Sequence, residues 1–241
     1  MTHSQGPQAS LDLTHVLYDD SSLFSLALAL LTLSPILLMA AYAVLVVQTR
    51  ELTILIMWAG QLACEGFNWI IKRAIKEDRP NDLVGNGYGF PSSHSQYMGY
   101  FASFLICHLY FRHRFGSMGY PFLDQAWRGI VYLALVSWAS IVAYSRLHLG
   151  YHSEHQVLWG AGIGVTFGLT LYLLAELIPV RHPQSPLGKF RAYLLTNPIS
   201  TWIRLRDGWA IWPDAGQEEE WQRWRAQWDK RRTSAEHKRS Q

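Results

Sequence analysis

Two clusters of polar residues in this sequence carry the groups that phosphate chemistry needs. The first lies between Lys72 and His94, and the second lies between Ser145 and His152. Each cluster contains cations and a histidine, and each borders a strongly apolar segment. A phosphoryl group in transfer spreads negative charge over its oxygens, so a protein acts mainly by positioning and neutralising that charge. The two clusters therefore predict a phosphate-handling site at a membrane surface.

The predicted phosphate ligands are cationic side chains and the free backbone N–H groups at the start of a helix. Lys72 and Arg79 are seven residues apart, about two helical turns, so both can face the same way at a helix end. Ser92 or Ser93 can cap the next helix, whose free backbone N–H groups would form an anion site. Arg146 adds a third cation, and the planar fork of an arginine donates two parallel hydrogen bonds to phosphate oxygens.

Two histidines, one in each cluster, are the predicted reactive groups. The sequence carries no metal or cofactor motif, so phosphate cleavage needs a nucleophile and an acid for the leaving oxygen. Neutral imidazole can attack phosphorus and imidazolium can donate a proton near neutral pH, which makes His94 and His152 the natural pair. A nucleophilic histidine also needs a neighbour that fixes its tautomer. Gln156 lies four residues beyond His152, on the same helical face if a helix begins there.

The apolar residues are concentrated in blocks, although the mean hydropathy of the chain is only +0.01. Residues 23–47 include no charged side chain and are long enough to cross a bilayer as a helix. We therefore predict an all-α, polytopic membrane helix bundle with about five transmembrane helices and room for a sixth, interfacial helix. The predicted segments are Leu23–Val47, Leu52–Ile71, Tyr97–Phe111, Gly129–Tyr144 and Val157–Ile178. The predicted divisions are a polar N-terminal segment (1–22), a transmembrane phosphatase domain (23–178) and a polar, tryptophan-rich tail (179–241).

The distribution of cations predicts how the bundle is oriented in the membrane. With five helices, one set of cations falls on the side opposite residue 1: Arg50, Arg112, Arg114, Arg128, Arg181, Lys189 and Arg191. The positive-inside bias makes that side cytosolic. The same odd number of helices places both polar clusters together on the other side. Lys72 and Arg79 therefore run against the bias, as cations retained for function would.

The tail is aromatic as well as charged, with Trp202, Trp209, Trp212, Trp221, Trp224 and Trp228. Tryptophan favours the membrane–water interface, so residues 193–212 are predicted to lie on the membrane surface. Residues 218–232 mix charges of both signs, which predicts a solvated helix, with partner binding as the alternative. We expect no nucleic-acid partner, and the sequence does not identify a protein partner.

The spacing of the polar residues resembles the three signature motifs of the type 2 phosphatidic acid phosphatase superfamily. The motifs here are Lys72, six residues, Arg79-Pro80; Pro91-Ser92-Ser93-His94; and Ser145-Arg146, five residues, His152. Two positions depart from the usual pattern, because Ser93 replaces a glycine and Gln156 replaces an aspartate. A glutamine at this position resembles the dolichyl-diphosphatase branch of the superfamily. Three stretches of the sequence resemble the same branch: Asn68-Trp69-Ile70-Ile71-Lys72, Phe90 to Gln96 and Tyr144-Ser145-Arg146.

The resemblance implies a hydrolysis without metal or cofactor, through a phosphohistidine on His152 and with His94 as the general acid. Gln156 completes the expected catalytic set. The expected phosphate ligands are Lys72, Arg79, Ser92, Ser93 and Arg146. The implied reaction removes the terminal phosphate of dolichyl diphosphate, a polyisoprenyl diphosphate lipid of the bilayer, and recycles the carrier for protein N-glycosylation. The implied location is the endoplasmic reticulum membrane, with several membrane passes and an active site that faces the lumen.

Other interpretations stay open at this stage. The substrate could be phosphatidic acid or another lipid phosphate, and the chain could be a catalytically silent membrane scaffold. His148, His152 and His155 are spaced by four and three residues, which also permits a zinc site on one helical face. The sequence does not determine the chain-length preference, the oligomeric state, the role of the tail or whether Glu65 and Asn68 support the site.

Overall fold

The computed structural model describes residues 8–11, 16–80, 87–116 and 119–239. In these ranges an antiparallel hairpin of β1 (Gln8–Leu11) and β2 (Val16–Asp19) precedes a series of helices. The longer helices of the bundle are α1 (Leu23–Leu31), α2 (Ser34–Thr49), α3 (Leu52–Ile75), α4 (Ser93–Phe111), α5 (Pro121–His148) and α6 (Glu154–Tyr172). A turn of π-helix (Leu173–Leu177) leads to α7 (Ile178–Arg181), α8 (Pro186–Thr196), α9 (Pro198–Ile203), a 3-10 turn (Gly208–Ala210) and α10 (Gln217–Arg239).

The predicted all-α membrane bundle is confirmed, with the short hairpin as an addition. Among the described residues, four helical segments are long and apolar enough to cross a membrane: Leu23–Thr49, Leu52–Ile75, Pro121–His148 and Glu154–Arg181. The third predicted helix is present as α4, which packs between these four segments and buries Tyr100 and Phe104 completely. The fourth predicted helix begins at Pro121 rather than near residue 128. A proline at the first helical position suits a helix start, because its fixed φ is already helical and its missing N–H is not needed there.

The first apolar block is interrupted, whereas the sequence predicted one continuous helix. Pro35 has no N–H to donate to the carbonyl of Leu31, which would be its partner in an unbroken helix. The Ser34 hydroxyl donates to that carbonyl instead, at 2.7 Å. The chain therefore turns between α1 and α2, and the carbonyl of Thr32 faces inward toward the bundle, where it meets His94.

Helices α4 and α6 pack with their backbones in close contact. Glycines repeat every fourth residue along α6, at Gly160, Gly164 and Gly168. A Cβ added to Gly164 would overlap the backbone carbonyl oxygen of Gln96, and one added to Gly160 would lie 2.6 Å from the carbonyl oxygen of Ser92. Small residues of this kind allow membrane helices to approach closely. The N-terminal ends of α4 and α6 therefore lie side by side.

The first part of the tail is fastened to the opposite end of the bundle by charge. Arg112, Glu176, Arg191 and Asp207 form a closed ring of ion pairs between 2.8 and 3.0 Å long, here called the charge ring. Their side chains are at most 8% exposed. Burial alone would lower the pKa of Arg191, but the carboxylates of Glu176 and Asp207 outweigh it and raise that pKa above its ordinary value.

The rest of the tail is more exposed. Tyr193, Trp202 and Ile211 are 63%, 82% and 72% exposed, in the segment predicted to lie on the membrane surface. Trp209 differs from them, because its indole packs edge-on against the ring of His108 inside the bundle. The helix predicted over residues 218–232 is present as α10.

Candidate active site

The two polar clusters meet at one end of the bundle. The connection between α3 and α4 lies against the connection between α5 and α6, and hydrogen bonds join them. The backbone N–H of Ser92 donates to the carbonyl oxygen of Gln156 at 3.1 Å. The side-chain amide of Gln156 donates to the backbone carbonyl of Asp78 at 2.8 Å. The hairpin covers the same end, because the N–H of Leu17 donates to the Tyr151 hydroxyl at 2.8 Å.

His152 is held just before the first turn of α6 by the side chain of Gln156. Its Nδ1 lies 3.1 Å from Oε1 of Gln156. Ser153 caps α6, with its hydroxyl accepting from the N–H of Gln156 at 3.3 Å and its own N–H donating to Oε1 at 3.4 Å. The sequence Ser-x-x-Gln is a capping box, a local signature of a helix start. Gln156 thus anchors the helix and orients His152 at the same time.

His152 is neutral at physiological pH in the free protein. Burial lowers the pKa of its imidazole to about 3, and the charges of Arg146, Arg79 and Lys72 add to that effect. The hydrogen bond to Gln156 opposes the shift but does not cancel it. A neutral ring keeps a lone pair on one nitrogen, which is the form that can attack phosphorus. Because Arg146, Arg79 and Lys72 all lower this pKa, the three predicted cations all lie near His152.

Lys72 is connected to the start of α4 through a chain of hydrogen bonds. Its Nζ donates to the Ser93 hydroxyl at 2.8 Å, and that hydroxyl donates to Oδ1 of Asn68 at 3.0 Å. Asn68 donates in turn to Oε1 of Gln96 at 2.7 Å, and Gln96 donates to the carbonyl of Cys64 at 2.9 Å. The buried side-chain amides of Asn68 and Gln96 therefore have hydrogen-bond partners, and through Ser93 they hold the Lys72 amine next to the first residue of α4.

Arg146 is buried, and two of its guanidinium nitrogens have no hydrogen-bond partner among the described residues. The side chain is only 4% exposed, and its guanidinium stacks on the ring of Tyr151, 3.9 Å from the ring centroid. Among the described residues, neither its Nε nor its Nη1 has a hydrogen-bond partner. Leaving a buried charge unpaired is costly, so such a group is suited to an anionic ligand. The unpaired donors of Arg146 support an anion site next to His152.

His94 lies on α4, in the first turn of that helix. Its Nε2 is 3.1 Å from the carbonyl oxygen of Thr32, an oxygen that can only accept, so Nε2 carries the proton of this hydrogen bond. The break between α1 and α2 supplies that carbonyl.

A cavity of about 230 Å³ extends from His94 between α2 and α3. It is lined by four apolar residues (Pro35, Ile36, Met39 and Leu62) and by Glu65, Ser93, His94 and Tyr97. Ile36 and Leu62 are 51% and 52% exposed on two segments that are long and apolar enough to cross a membrane, so the cavity opens at the apolar outer surface of the bundle.

The remaining predicted phosphate ligands differ in their exposure. Arg79 donates from Nε to the carbonyl of Gly87 at 3.3 Å, beside residues 81–86, which lie outside the described part of the chain. Ser92 is the N-cap residue of α4, but it is fully buried and its hydroxyl accepts from Ser95 at 3.0 Å. Ser93, in contrast, faces Lys72. Its backbone N–H already donates to the carbonyl oxygen of Gln156, so both polar groups of Ser92 have partners within the protein and its contact with a phosphate stays a prediction.

The three histidines that could have formed a zinc site have separate surroundings. His148 packs edge-on against the ring of Phe24, and His155 stacks on Phe90 with ring centroids 5.3 Å apart. His152 alone points to Gln156. The three rings therefore do not converge on one point.

Three contributors to the site were not singled out from the sequence. They are Glu77, which accepts from Gln156; Tyr151, which stacks on Arg146; and the carbonyl of Thr32, which contacts His94. The Ser-x-x-Gln cap signature at 153–156 was available in the sequence and would have placed the start of α6. A backbone carbonyl carries no sequence signal, so the contact of Thr32 could not have been found that way.

Comparison with known proteins shows the family of the chain. The profile of the PAP2 superfamily matches residues 51–178, more than half of the chain and the whole of both polar clusters. The chain therefore belongs to the PAP2 superfamily, whose members include the type 2 phosphatidic acid phosphatases.

Its relatives within that superfamily are named for one activity. Dolichyldiphosphatase 1 of Homo sapiens is 37% identical over 200 residues, which cover 81% of this chain and 80% of that protein. Dolichyldiphosphatase 1 of Rhinolophus ferrumequinum is 38% identical over 74% of this chain and 78% of its own length. Dolichyldiphosphatase of Saccharomyces cerevisiae is 32% identical over 69% of this chain and 70% of its own length. No solved structure matches the chain significantly.

Proposed function

We propose that this protein hydrolyses dolichyl diphosphate to dolichyl phosphate and inorganic phosphate through a phosphohistidine on His152. The observation that carries the proposal is the pairing of a neutral, hydrogen-bonded His152 with the unpaired, buried donors of Arg146. Together they offer a nucleophile and an anion site in one place. The similarity to proteins named dolichyldiphosphatase supports the choice of lipid.

The proposed reaction has two steps, the formation of the phosphohistidine and its hydrolysis. In the first, Nε2 of His152 attacks the terminal phosphorus, and the N–P bond forms as the bond to the bridging oxygen breaks. The negative charge of the bound diphosphate favours the imidazolium form of His94, which gives its proton to that oxygen as dolichyl phosphate leaves. In the second step the neutral His94 takes a proton from water, whose oxygen attacks the phosphorus. The N–P bond breaks, inorganic phosphate leaves, and His152 returns to its neutral state.

The cations and the lipid-facing cavity support a lipid diphosphate as the substrate. Lys72, Arg79 and Arg146 can neutralise the charge of two phosphates, and the neutral amide of Gln156 adds no repulsion. A departing phosphate is a weaker base than a lipid alkoxide, so a histidine without a carboxylate neighbour suffices for it. The cavity beside His94 lies on the leaving-group side and opens to lipid, where a polyisoprenyl tail would extend. We therefore propose a strong preference for the diphosphate over dolichyl phosphate and phosphatidic acid.

Location follows from the same proposal. The apolar helices make this a multi-pass membrane protein. We place it in the endoplasmic reticulum membrane with the active site in the lumen, where the released dolichyl phosphate would be recycled for protein N-glycosylation. The positive-inside bias of the opposite end supports this orientation.

The deciding experiment measures phosphate release by the purified protein in detergent. Turnover is expected on dolichyl diphosphate and to be far slower on dolichyl phosphate and phosphatidic acid. Equal kcat/KM values on the three lipids would contradict the substrate assignment. Activity is expected to survive chelators, whereas a loss restored by zinc would favour a metal site.

Matched variants test the assigned roles. His152→Ala should abolish turnover and the acid-labile phosphoenzyme, and His94→Ala should reduce kcat by about a hundredfold or more. His155→Ala removes an exposed histidine three residues from the nucleophile and should keep near-normal activity. A His152→Ala protein with normal turnover would rule out the nucleophile.

A further inference from the structure

The side chain of Glu77 reaches the candidate nucleophile through one intermediate residue. Its Oε1 accepts a hydrogen bond from Nε2 of Gln156 at 2.8 Å, and the carbonyl of Asp78 accepts from the same nitrogen at 2.8 Å. The other end of that amide, Oε1, lies 3.1 Å from Nδ1 of His152. Glu77 lies between Lys72 and Arg79, two of the proposed phosphate ligands, and it has no role in the steps described above.

We propose that Glu77 is a positioning residue that fixes the orientation of the Gln156 amide and, through it, the tautomer of His152. This inference rests on the proposed function, because it assumes that His152 is the nucleophile. A carboxylate and a carbonyl can only accept hydrogen bonds, so together they hold the NH₂ group of Gln156 toward themselves. The amide oxygen must then face His152.

The orientation of the amide decides which ring nitrogen carries the proton. With its oxygen toward the ring, Gln156 accepts from Nδ1–H, and the lone pair is left on Nε2 of His152, facing the site. With the amide turned by half a rotation, the NH₂ group would donate to Nδ1 and the ring proton would move to Nε2. That tautomer cannot attack phosphorus. A comparable error in a serine-protease triad reduces kcat by about 10⁴-fold.

Glu77 also compensates for the missing carboxylate next to the nucleophile. When Nε2 of His152 bonds to phosphorus, the ring becomes cationic and keeps its Nδ1 proton. A direct carboxylate neighbour would stabilise that cation, and here the negative charge of Glu77 acts through the polarised amide of Gln156. The charge therefore stays one residue further from the anionic substrate.

Alanine variants of adjacent carboxylates provide the first test. Glu77→Ala should lower kcat about tenfold or more with little change in KM, the loss being limited because the Asp78 carbonyl still holds the amide. Asp78→Ala removes the neighbouring, exposed carboxylate but keeps that backbone carbonyl, so kcat should change little. His155→Ala tests the other contact of Glu77, an imidazole 3.9 Å away, and should also have little effect. Equal losses in Glu77→Ala and Asp78→Ala would mean a general charge effect and overturn the inference.

A second test compares the effect of Glu77→Gln on kcat in the wild type and in a Gln156→Glu variant. A positioning role predicts effects of opposite sign, whereas a loss of folding stability would lower kcat in both. In Gln156→Glu the new carboxylate can only accept from His152 and would face the Glu77 carboxylate across a hydrogen-bond distance. Adding Glu77→Gln to that background should relieve the repulsion and raise kcat, whereas Glu77→Gln alone should lower it. A Glu77→Gln change that lowers kcat equally in both backgrounds would contradict the role.

Nitrogen NMR of protein labelled with [¹⁵N]histidine gives a readout that does not depend on activity. The signals of His152, assigned by their loss in His152→Ala, should show the proton on Nδ1 in the wild type and a mixture of tautomers in Glu77→Ala. An unchanged tautomer would overturn the inference even if the protein is a phosphatase. A wild type with no phosphatase activity would instead defeat the proposed function, and the tautomer measurement would still decide the role of Glu77. If Glu77→Ala does not fold, Glu77→Gln, which keeps the shape, takes its place.

Discussion

At the scale of single residues, the protonation state of His152 is the property on which the proposed mechanism depends. Its imidazole is buried among three cations, which lowers its pKa to about 3, whereas an unfolded chain would titrate near the ordinary value of 6.5. Between these values the unfolded state binds more protons than the folded state. His152 therefore removes folding stability as the pH falls through this window, and it does not reduce stability above pH 6.5.

The pH dependence of His152 can be measured directly by NMR of histidine-labelled protein in nanodiscs. We expect the His152 signals to remain those of a neutral ring from pH 7 down to about pH 5, where a histidine in a short peptide of the same local sequence is protonated. Bound vanadate, an anion, should raise the titration midpoint, because negative charge favours the imidazolium. A midpoint near 6.5 in the free protein would show that neither burial nor the neighbouring cations lower the pKa of this ring.

At the scale of helices, the contact between α4 and α6 sets the distance between the two halves of the site. Gly164→Ala would drive a methyl group into the backbone carbonyl of Gln96 and should destabilise the fold by about 1–3 kcal/mol. Gly162→Ala, two residues away on the same helix, meets no atom within 4 Å and is the matched control. Thermal unfolding in detergent should separate the two variants, and equal midpoints would contradict the close contact.

The cavity between α2 and α3 also depends on how helices pack, because neither helix forms it alone. Ile36→Trp would fill its mouth and should raise KM for dolichyl diphosphate several-fold, while activity on isopentenyl diphosphate, whose tail is too short to reach the mouth, should change little. Leu37→Trp places the same bulk on the adjacent residue, which is exposed but does not line the cavity. Equal effects of the two variants would argue against this route for the lipid tail.

At the scale of the whole molecule, the charge ring ties the tail to the bundle far from the site. Glu176→Gln keeps the side-chain shape but leaves two buried arginines with one carboxylate, which should cost about 3–5 kcal/mol. Glu219→Gln breaks an exposed pair with Arg223 and should cost less than about 1 kcal/mol. The measurement is unfolding of the detergent-solubilised protein. Similar costs would show that the ring is not held away from water.

Orientation in the membrane is also a property of the whole molecule. In a protein whose own Cys64 and Cys107 are replaced by alanine, Glu154→Cys lies at the active-site end and Ser234→Cys lies in α10. An impermeant thiol reagent applied to sealed microsomes should label the α10 cysteine at once and the other only after permeabilisation. Labelling of both from the same side would contradict the predicted topology.

The sequence alone indicated the class of chemistry, the handling of phosphate, and predicted that both polar clusters lie at one end of the bundle. Cations and histidines at fixed spacing indicate phosphate handling, and apolar blocks of bilayer length indicate helices whose number places both clusters on one side. These signals are local, because each depends on residues that are neighbours along the chain or on the counting of segments. Helix boundaries were less accurate where a proline acted, as at Pro35 and Pro121, since one residue can either break a helix or begin it.

The tertiary structure decided which groups complete the site. Glu77 and Gln156 are 79 residues apart, and His94 and Thr32 are 62 residues apart, yet each pair is joined by one hydrogen bond. No periodicity or motif predicts such a contact, because it depends on how closely α4 and α6 pack and on where α1 ends. The charge ring is similar, since its members come from four separate segments and become partners only when burial removes water. The spacing of residues could indicate a candidate nucleophile, but only the fold could provide the groups that orient it.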